Sequence, residues 1–216
     1  MKRKLAILGI AGISLMGSLS VQAQKTEKLF NGKDLSNWEF LVDKNSVPAE
    51  QVYSVKDGMI QIAGQPFGYM YTKQKYSNYK LHVEWRWPDG KEANSGIFLL
   101  IEDLKNPFPN GVECQLHAGD AGDFVSLGGS DLAEFQNKPG QPRPAFPVVQ
   151  KHTKSSENKA GEWNEANIFV KDGVITVYIN GVYQNTGTNK VKEGHIGLQS
   201  EGGPIQFRNV TLTPWE

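Results

Sequence analysis

Asn167-Ile168-Phe169-Val170-Lys171, then Asp172-Gly173, then Val174-Ile175-Thr176-Val177-Tyr178-Ile179-Asn180 is the stretch that decides the fold. Its two runs of β-branched and aromatic residues favour extended backbone, and the Asp-Gly pair between them tolerates the positive φ of a two-residue hairpin. The stretch therefore reads as two antiparallel strands. Residues 51–54 and 59–62 repeat the pattern around Lys56-Asp57-Gly58. Outward from these hairpins, runs of similar composition recur at 80–87, 96–101, 111–117, 195–200 and 205–212, between Gly, Asn, Asp and Pro turns. No window of a dozen residues after position 24 carries a 3.6-residue period. About nine short strands with no linker-like break predict a single all-β domain over 24–216, an antiparallel sandwich or jelly roll.

The 216 residues are 38% hydrophobic and 21% charged, with five Trp, ten Phe and one Cys. Such a chain is too apolar to be disordered, and a lone cysteine excludes both a disulfide framework and a cysteine-rich zinc module. The first 23 residues stand apart: Lys2, Arg3 and Lys4, an apolar stretch from Leu5 to about Leu19, then Val21-Gln22-Ala23. They read as a secretory signal peptide cut after Ala23. A membrane anchor is the alternative, but the run carries Gly and Ser and falls short of the ~20 residues of a span. The expected product is exported, periplasmic or secreted, without a membrane anchor. Removing three basic residues from 23 leaves 20 against 23 acidic ones, a net charge of −3. That balance offers no basic surface for nucleic acid or an anionic membrane.

The interval 118–158 is dense in Gly, Pro, Ser and Asp, including Lys138-Pro139-Gly140-Gln141-Pro142-Arg143-Pro144. A loop of that length in a compact domain is commonly functional, and it reads as an excursion over the mouth of a site; a merely decorative loop is the alternative.

Five blocks then agree in order with a known family: LFNGKDLSNW at 29–38, YKLHVEWRW at 79–87, NSGIF at 94–98, GEWN at 161–164 with Asn180-Gly181 after it, and GLQSEGGPIQFRNV at 197–210. In these the chain resembles the 3-keto-disaccharide hydrolase family. The resemblance implies a concanavalin A-like jelly-roll sandwich of two curved antiparallel sheets, the concave one carrying a small-carbohydrate site. It also implies cleavage of glycosides already oxidised to a ketone at sugar carbon 3. A ketone at C3 acidifies the C2 hydrogen, and the C1 substituent lies β to the resulting carbanion and can leave; water addition then completes a net hydrolysis. Such an enzyme needs a base for C2, donors for the enolate oxygen and an acid for the leaving oxygen. No nicotinamide is needed, and no glycine fingerprint opens a helix.

Strict alternation at 112–117 puts Glu113, Gln115 and His117 on one face and Val112, Cys114 and Leu116 on the other. The polar face is the expected concave one, with Glu113 or His117 as the C2 base; Glu113 and Gln115 are ~7 Å apart and Glu113 and His117 ~13 Å. An exposed face of an ordinary amphipathic strand is the bland alternative. The same alternation at 81–87 turns His82, Glu84 and Arg86 one way, making Glu84 and Arg86 candidates for the same surface. Arg86 would hold an enolate oxygen, unless it is merely one half of an ion pair. Glu201 stands where family members carry His, which leaves the acid or base open between it and His117. Gln199 and Arg208 complete the polar set, Asn94 caps a turn or meets sugar hydroxyls, and Trp163 stacks on a sugar or packs in the core. Cys114 is expected as a small buried hydrophobe.

The segment 117–123 holds oxygen and nitrogen donors for a divalent metal, though without an EF-hand register. A retaining glucanase would want two carboxylates ~5.5 Å apart, which the interposed Gln115 argues against. A sugar-binding module on the same concave sheet remains the non-catalytic alternative.

Overall fold

The computed structural model describes residues 25–215, so the leader read at 1–23 lies outside the described residues. In chain order the strands are β1 (Glu27–Lys28), β2 (Trp38–Val42), β3 (Tyr53–Lys56), β4 (Met59–Ile62) and β5 (Gly68–Thr72). There follow β6 (Tyr79–Arg86), β7 (Gly96–Ile101), β8 (Gly111–Gln115), β9 (Phe124–Leu127) and β10 (Val148–Val149). The last are β11 (Asn164–Lys171), β12 (Val174–Ile179), β13 (Val182–Thr188), β14 (His195–Ser200) and β15 (Ile205–Pro214). They form two antiparallel sheets. One runs β13-β12-β11-β6-β15-β4-β3, with β1 also on β15, and the other runs β10-β9-β8-β7-β14-β5-β2. The architecture is the all-β, concanavalin A-like jelly-roll sandwich.

Both Asp-Gly pairs form the turns their sequence demands. Asp57 and Gly58 have φ of 52° and 72°, Asp172 and Gly173 of 51° and 86°, both residues positive as in a type I′ hairpin. Asn180-Gly181 makes a third such turn between β12 and β13. The interval 118–158 is not loop throughout, because Phe124–Leu127 and Val148–Val149 pair with each other and extend the second sheet. Among the described residues no helix is long and apolar enough to cross a membrane.

Alternation sends Leu81, Val83 and Trp85 of β6 and Ala166, Ile168 and Val170 of β11 inward from the first sheet. From the second come Ile97 and Leu99 of β7 and Val112 and Cys114 of β8, and all are fully buried. A smaller apolar cluster of Tyr69, Phe98, Ile101, Val125 and Leu127 lies on the outer face of the seven-stranded sheet, with Leu104 and Phe108 of the β7–β8 loop against it. Strand β7 feeds both clusters, Phe98 by alternation and Ile101 because Leu100 adopts φ 54° where the pairing with β14 shifts register. That bulge turns Ile101 outward after two inward leucines.

Candidate functional site

On β8, Val112 and Cys114, and Leu116 beyond it, enter the core, which leaves Glu113 on the outer face of the seven-stranded sheet. Its cross-strand partners are Phe98 on β7 and Val125 on β9. The carboxyl leans over Gly96, where any Cβ would collide with Glu113 Oε1. A side chain at position 96 would therefore displace the group. Glu113 is only 3% exposed, yet Oε1 has no hydrogen-bonding partner among the described residues. Gln199 Oε1 on β14 and Asn94 Oδ1, beside the turn at Gly202, are buried and unpartnered as well. An unsatisfied buried polar atom costs roughly 1–3 kcal/mol, so three of them on one face mark a place arranged for hydrogen bonding from outside the protein.

The charges converge there too. Gln199 Nε2 donates to Glu201 Oε2 at 2.7 Å. Burial, and then the charge of Glu201, push the Glu113 carboxyl up to about 8. Glu201 is itself raised, by burial, against the hydrogen bond from Gln199 and the nearby His117. At neutral pH Glu113 thus keeps its proton while Glu201 is the better placed of the two to be a carboxylate. His117 is exposed beyond the end of β8, its Nδ1 3.0 Å from Asp120 Oδ2. Gln115 turns Oε1 back to accept from the backbone N–H of Leu116 and His117, at 2.9 and 2.8 Å. It shapes the strand end that carries His117.

Glu84 and Arg86, which alternation makes candidates for this surface, lie elsewhere, and so do Trp163 and Arg208. Strands β6 and β15 belong to the eight-stranded sheet, and these side chains stand on its outer face, with the sandwich core between them and Glu113. Alternation tells which residues share a face of one strand and says nothing about which sheet the strand joins. The four form a cluster of their own. Arg208 Nε meets Glu84 Oε2 at 2.7 Å and Asn209 Nδ2 meets Glu84 Oε1 at 2.6 Å. Arg86 Nε donates to Gln206 Oε1 at 2.6 Å. Both guanidinium groups lie over the Trp163 ring, at 4.7 Å for Arg86 and 3.9 Å for Arg208. Trp163 is neither a core residue nor an open sugar platform. Burial pushes the Glu84 carboxyl up, but the hydrogen bonds from Asn209 and Arg208 outweigh it and hold the group below its ordinary value.

The segment that suggested a divalent metal holds a cation of the chain's own. Lys151 Nζ lies 2.8 Å from Gly119 O and 3.5 Å from both Asp120 Oδ1 and Asp123 Oδ1. Among the described residues no three His, Cys, Asp or Glu side chains group as metal ligands. The residues fit an ammonium group. Sequence reasoning reads Gly96 only as part of a groove-shaping turn at Asn94-Ser95-Gly96; its role in seating the carboxyl follows from the lean of Glu113 across a neighbouring strand.

Residues 25–213 match the family model described as 3-keto-alpha-glucoside-1,2-lyase-like domain. A 3-keto-disaccharide hydrolase of Bacteroides thetaiotaomicron is 23% identical, with 90% of this chain and 80% of that protein aligned. A glycosyl hydrolase candidate of Parabacteroides distasonis superposes with a TM-score of 0.64 at 23% identity, covering 88% of this chain and 94% of its own. A carbohydrate-binding module of Bacillus subtilis does so with a TM-score of 0.58 at 12% identity, covering 82% and 95%.

Proposed function

Because the chain belongs to the family of 3-keto-alpha-glucoside-1,2-lyase-like domains, we propose that it cleaves 3-keto glycosides on the outer face of the seven-stranded sheet. The observation that carries this reading is Glu113: a buried carboxyl with an unpartnered oxygen, raised to about 8 and coupled to Glu201. A group that keeps its proton at neutral pH is suited to act as an acid, so Glu113 serves the leaving oxygen and not C2. Glu201 then takes the C2 proton, and His117 biases it toward the charged form. The amide nitrogens of Asn94 and Gln199, the latter with one hydrogen already given to Glu201, are the donors for the enolate oxygen, the role for which Arg86 is too remote, and their unpartnered oxygens accept from sugar hydroxyls.

The step balances. Glu201 removes the C2 proton, the C1–O bond breaks, and Glu113 delivers its proton to the departing oxygen, leaving a 1,2-unsaturated 3-keto sugar. Addition of water reverses the proton traffic: its hydroxyl joins C1, its proton returns to Glu113, and Glu201 returns a proton to C2. The net reaction is hydrolysis; release of the unsaturated sugar before water adds makes it an elimination.

The test is turnover of purified protein on 3-keto glucosides and on the same glucosides unoxidised. Wild type should cleave only the ketones, and Glu113→Gln should lower kcat/KM by about 10²–10⁴-fold with the fold intact. Comparable cleavage of unoxidised glycosides would mean direct two-carboxylate hydrolysis. Sugar binding with no cleavage of either would favour the lectin-like reading.

A further inference from the structure

The face that carries Glu113 changes character across that residue. On the side of the β8 end stand the hydrogen-bonding groups Asn94, Gln199 and Glu201. On the other, the direct neighbours Phe98 and Val125 lead into the small apolar cluster that Phe108 packs against. Phe108, from the β7–β8 loop, lies between two further phenylalanines from separate loops. Its ring is 5.9 Å from that of Phe67, just before β5, and 5.2 Å from that of Phe146, just before β10. Phe146 is 44% exposed. Three loops thus bring one phenylalanine each to the face of the candidate acid, where an apolar surface open to water is otherwise disfavoured.

We propose that this row is the subsite for the leaving group and that it selects glycosides with an apolar, ring-containing aglycone. The inference rests on the reading of Glu113 as the acid of a 3-keto glycosidase. A 3-keto sugar ring presents a ketone and hydroxyls, each needing a hydrogen-bonding partner, and those partners lie on the polar side. The oxygen that Glu113 protonates joins sugar to aglycone, so the aglycone falls on the side of Phe98, Phe108 and Phe146, which offers chiefly ring faces, with the Tyr69 hydroxyl buried among them. Aromatic rings pack there edge to face or offset with neighbours at the 5 to 6 Å spacing that Phe108 already shows to Phe67 and Phe146.

The experiment compares methyl and benzyl 3-keto-glucosides, whose leaving oxygens are both alkoxides, so that a difference reports aglycone binding and not leaving ability. Burial of a phenyl ring should give the benzyl compound a kcat/KM at least about tenfold higher, chiefly through KM. Phe146→Ala, at an exposed position, should bring the benzyl-to-methyl ratio down toward one, and Phe146→Tyr should restore most of it. Equal rates on the two ketones in wild type, or a ratio unchanged in Phe146→Ala, would overturn the aglycone assignment while leaving the 3-keto chemistry standing. Failure to cleave either ketone would overturn both.

Discussion

At the scale of one residue, Glu113 sets stability against chemistry. A carboxyl taken out of water without a partner for one oxygen avoids most of the penalty by keeping its proton, which is what a value of about 8 expresses. The folded value lies above the unfolded one, so the associated stability is fully present below the ordinary carboxylate range. It is lost as pH rises through about 8, where the buried group is forced to ionise. Glu113→Gln removes that titration. Denaturant unfolding at a series of pH values should therefore show the variant gaining on wild type between about pH 5 and 8, by on the order of 1 kcal/mol per pH unit. Parallel stability curves for the two proteins would show that the carboxyl is not held protonated by the fold. Alternation on β8 was enough to find Glu113 as an outward-facing acid. Its protonation was not legible, because it depends on Gly96 of β7 and Glu201 beyond β14, distant in sequence and adjacent only across the sheet.

At the scale of elements, β6 and β15 are tied on their outer face by Glu84, Arg208, Asn209 and the arginine-covered Trp163. The pair is partly exposed, and screening keeps its worth small. Arg208→Ala should cost about 1–2 kcal/mol from the lost ion pair and ring contact, measured by denaturant midpoint, and leave kcat/KM on 3-keto glycosides within about twofold. Abolished turnover at unchanged stability would move the site to the eight-stranded sheet. The strands that were legible, such as β6, β11 and β12, alternate cleanly between a buried and a wet face. Those that escaped notice break that rule for visible reasons. Strand β5, Gly68-Tyr69-Met70-Tyr71-Thr72, is covered on both faces, since Met70 faces the main core and Tyr69 the outer cluster. Strand β13 carries Gln184 and Asn185 buried in side-chain hydrogen bonds, Asn185 to Val149 O and Gln184 to Ser156 Oγ, and so reads as loop.

At the scale of the whole molecule, what no local pattern could state was the partition of strands between sheets, and that partition separates two polar clusters which the sequence alone would merge. Each sits on the outer face of its own sheet, and the sheets of a sandwich pack ~10 Å apart with a continuous apolar layer between them. Between Glu113 and Arg208 that layer is filled by core side chains: Trp85 and Phe207 on one side and Cys114 and Ile97 on the other are fully buried within it. Energetic coupling between substitutions falls away when the sites are more than about 7–10 Å apart and share no partner. The double variant Glu113→Gln with Arg208→Ala should therefore show a stability change equal to the sum of the single changes within about 0.5 kcal/mol, at pH 6 and again at pH 9. The choice of pH matters, because between pH 6 and pH 9 the Glu113 contribution shifts in favour of the variant, and additivity must hold through that shift. A coupling above about 1 kcal/mol at either pH would mean that the two faces communicate through the core. In that case the cluster around Trp163 would have to be counted with Glu113 as part of one site.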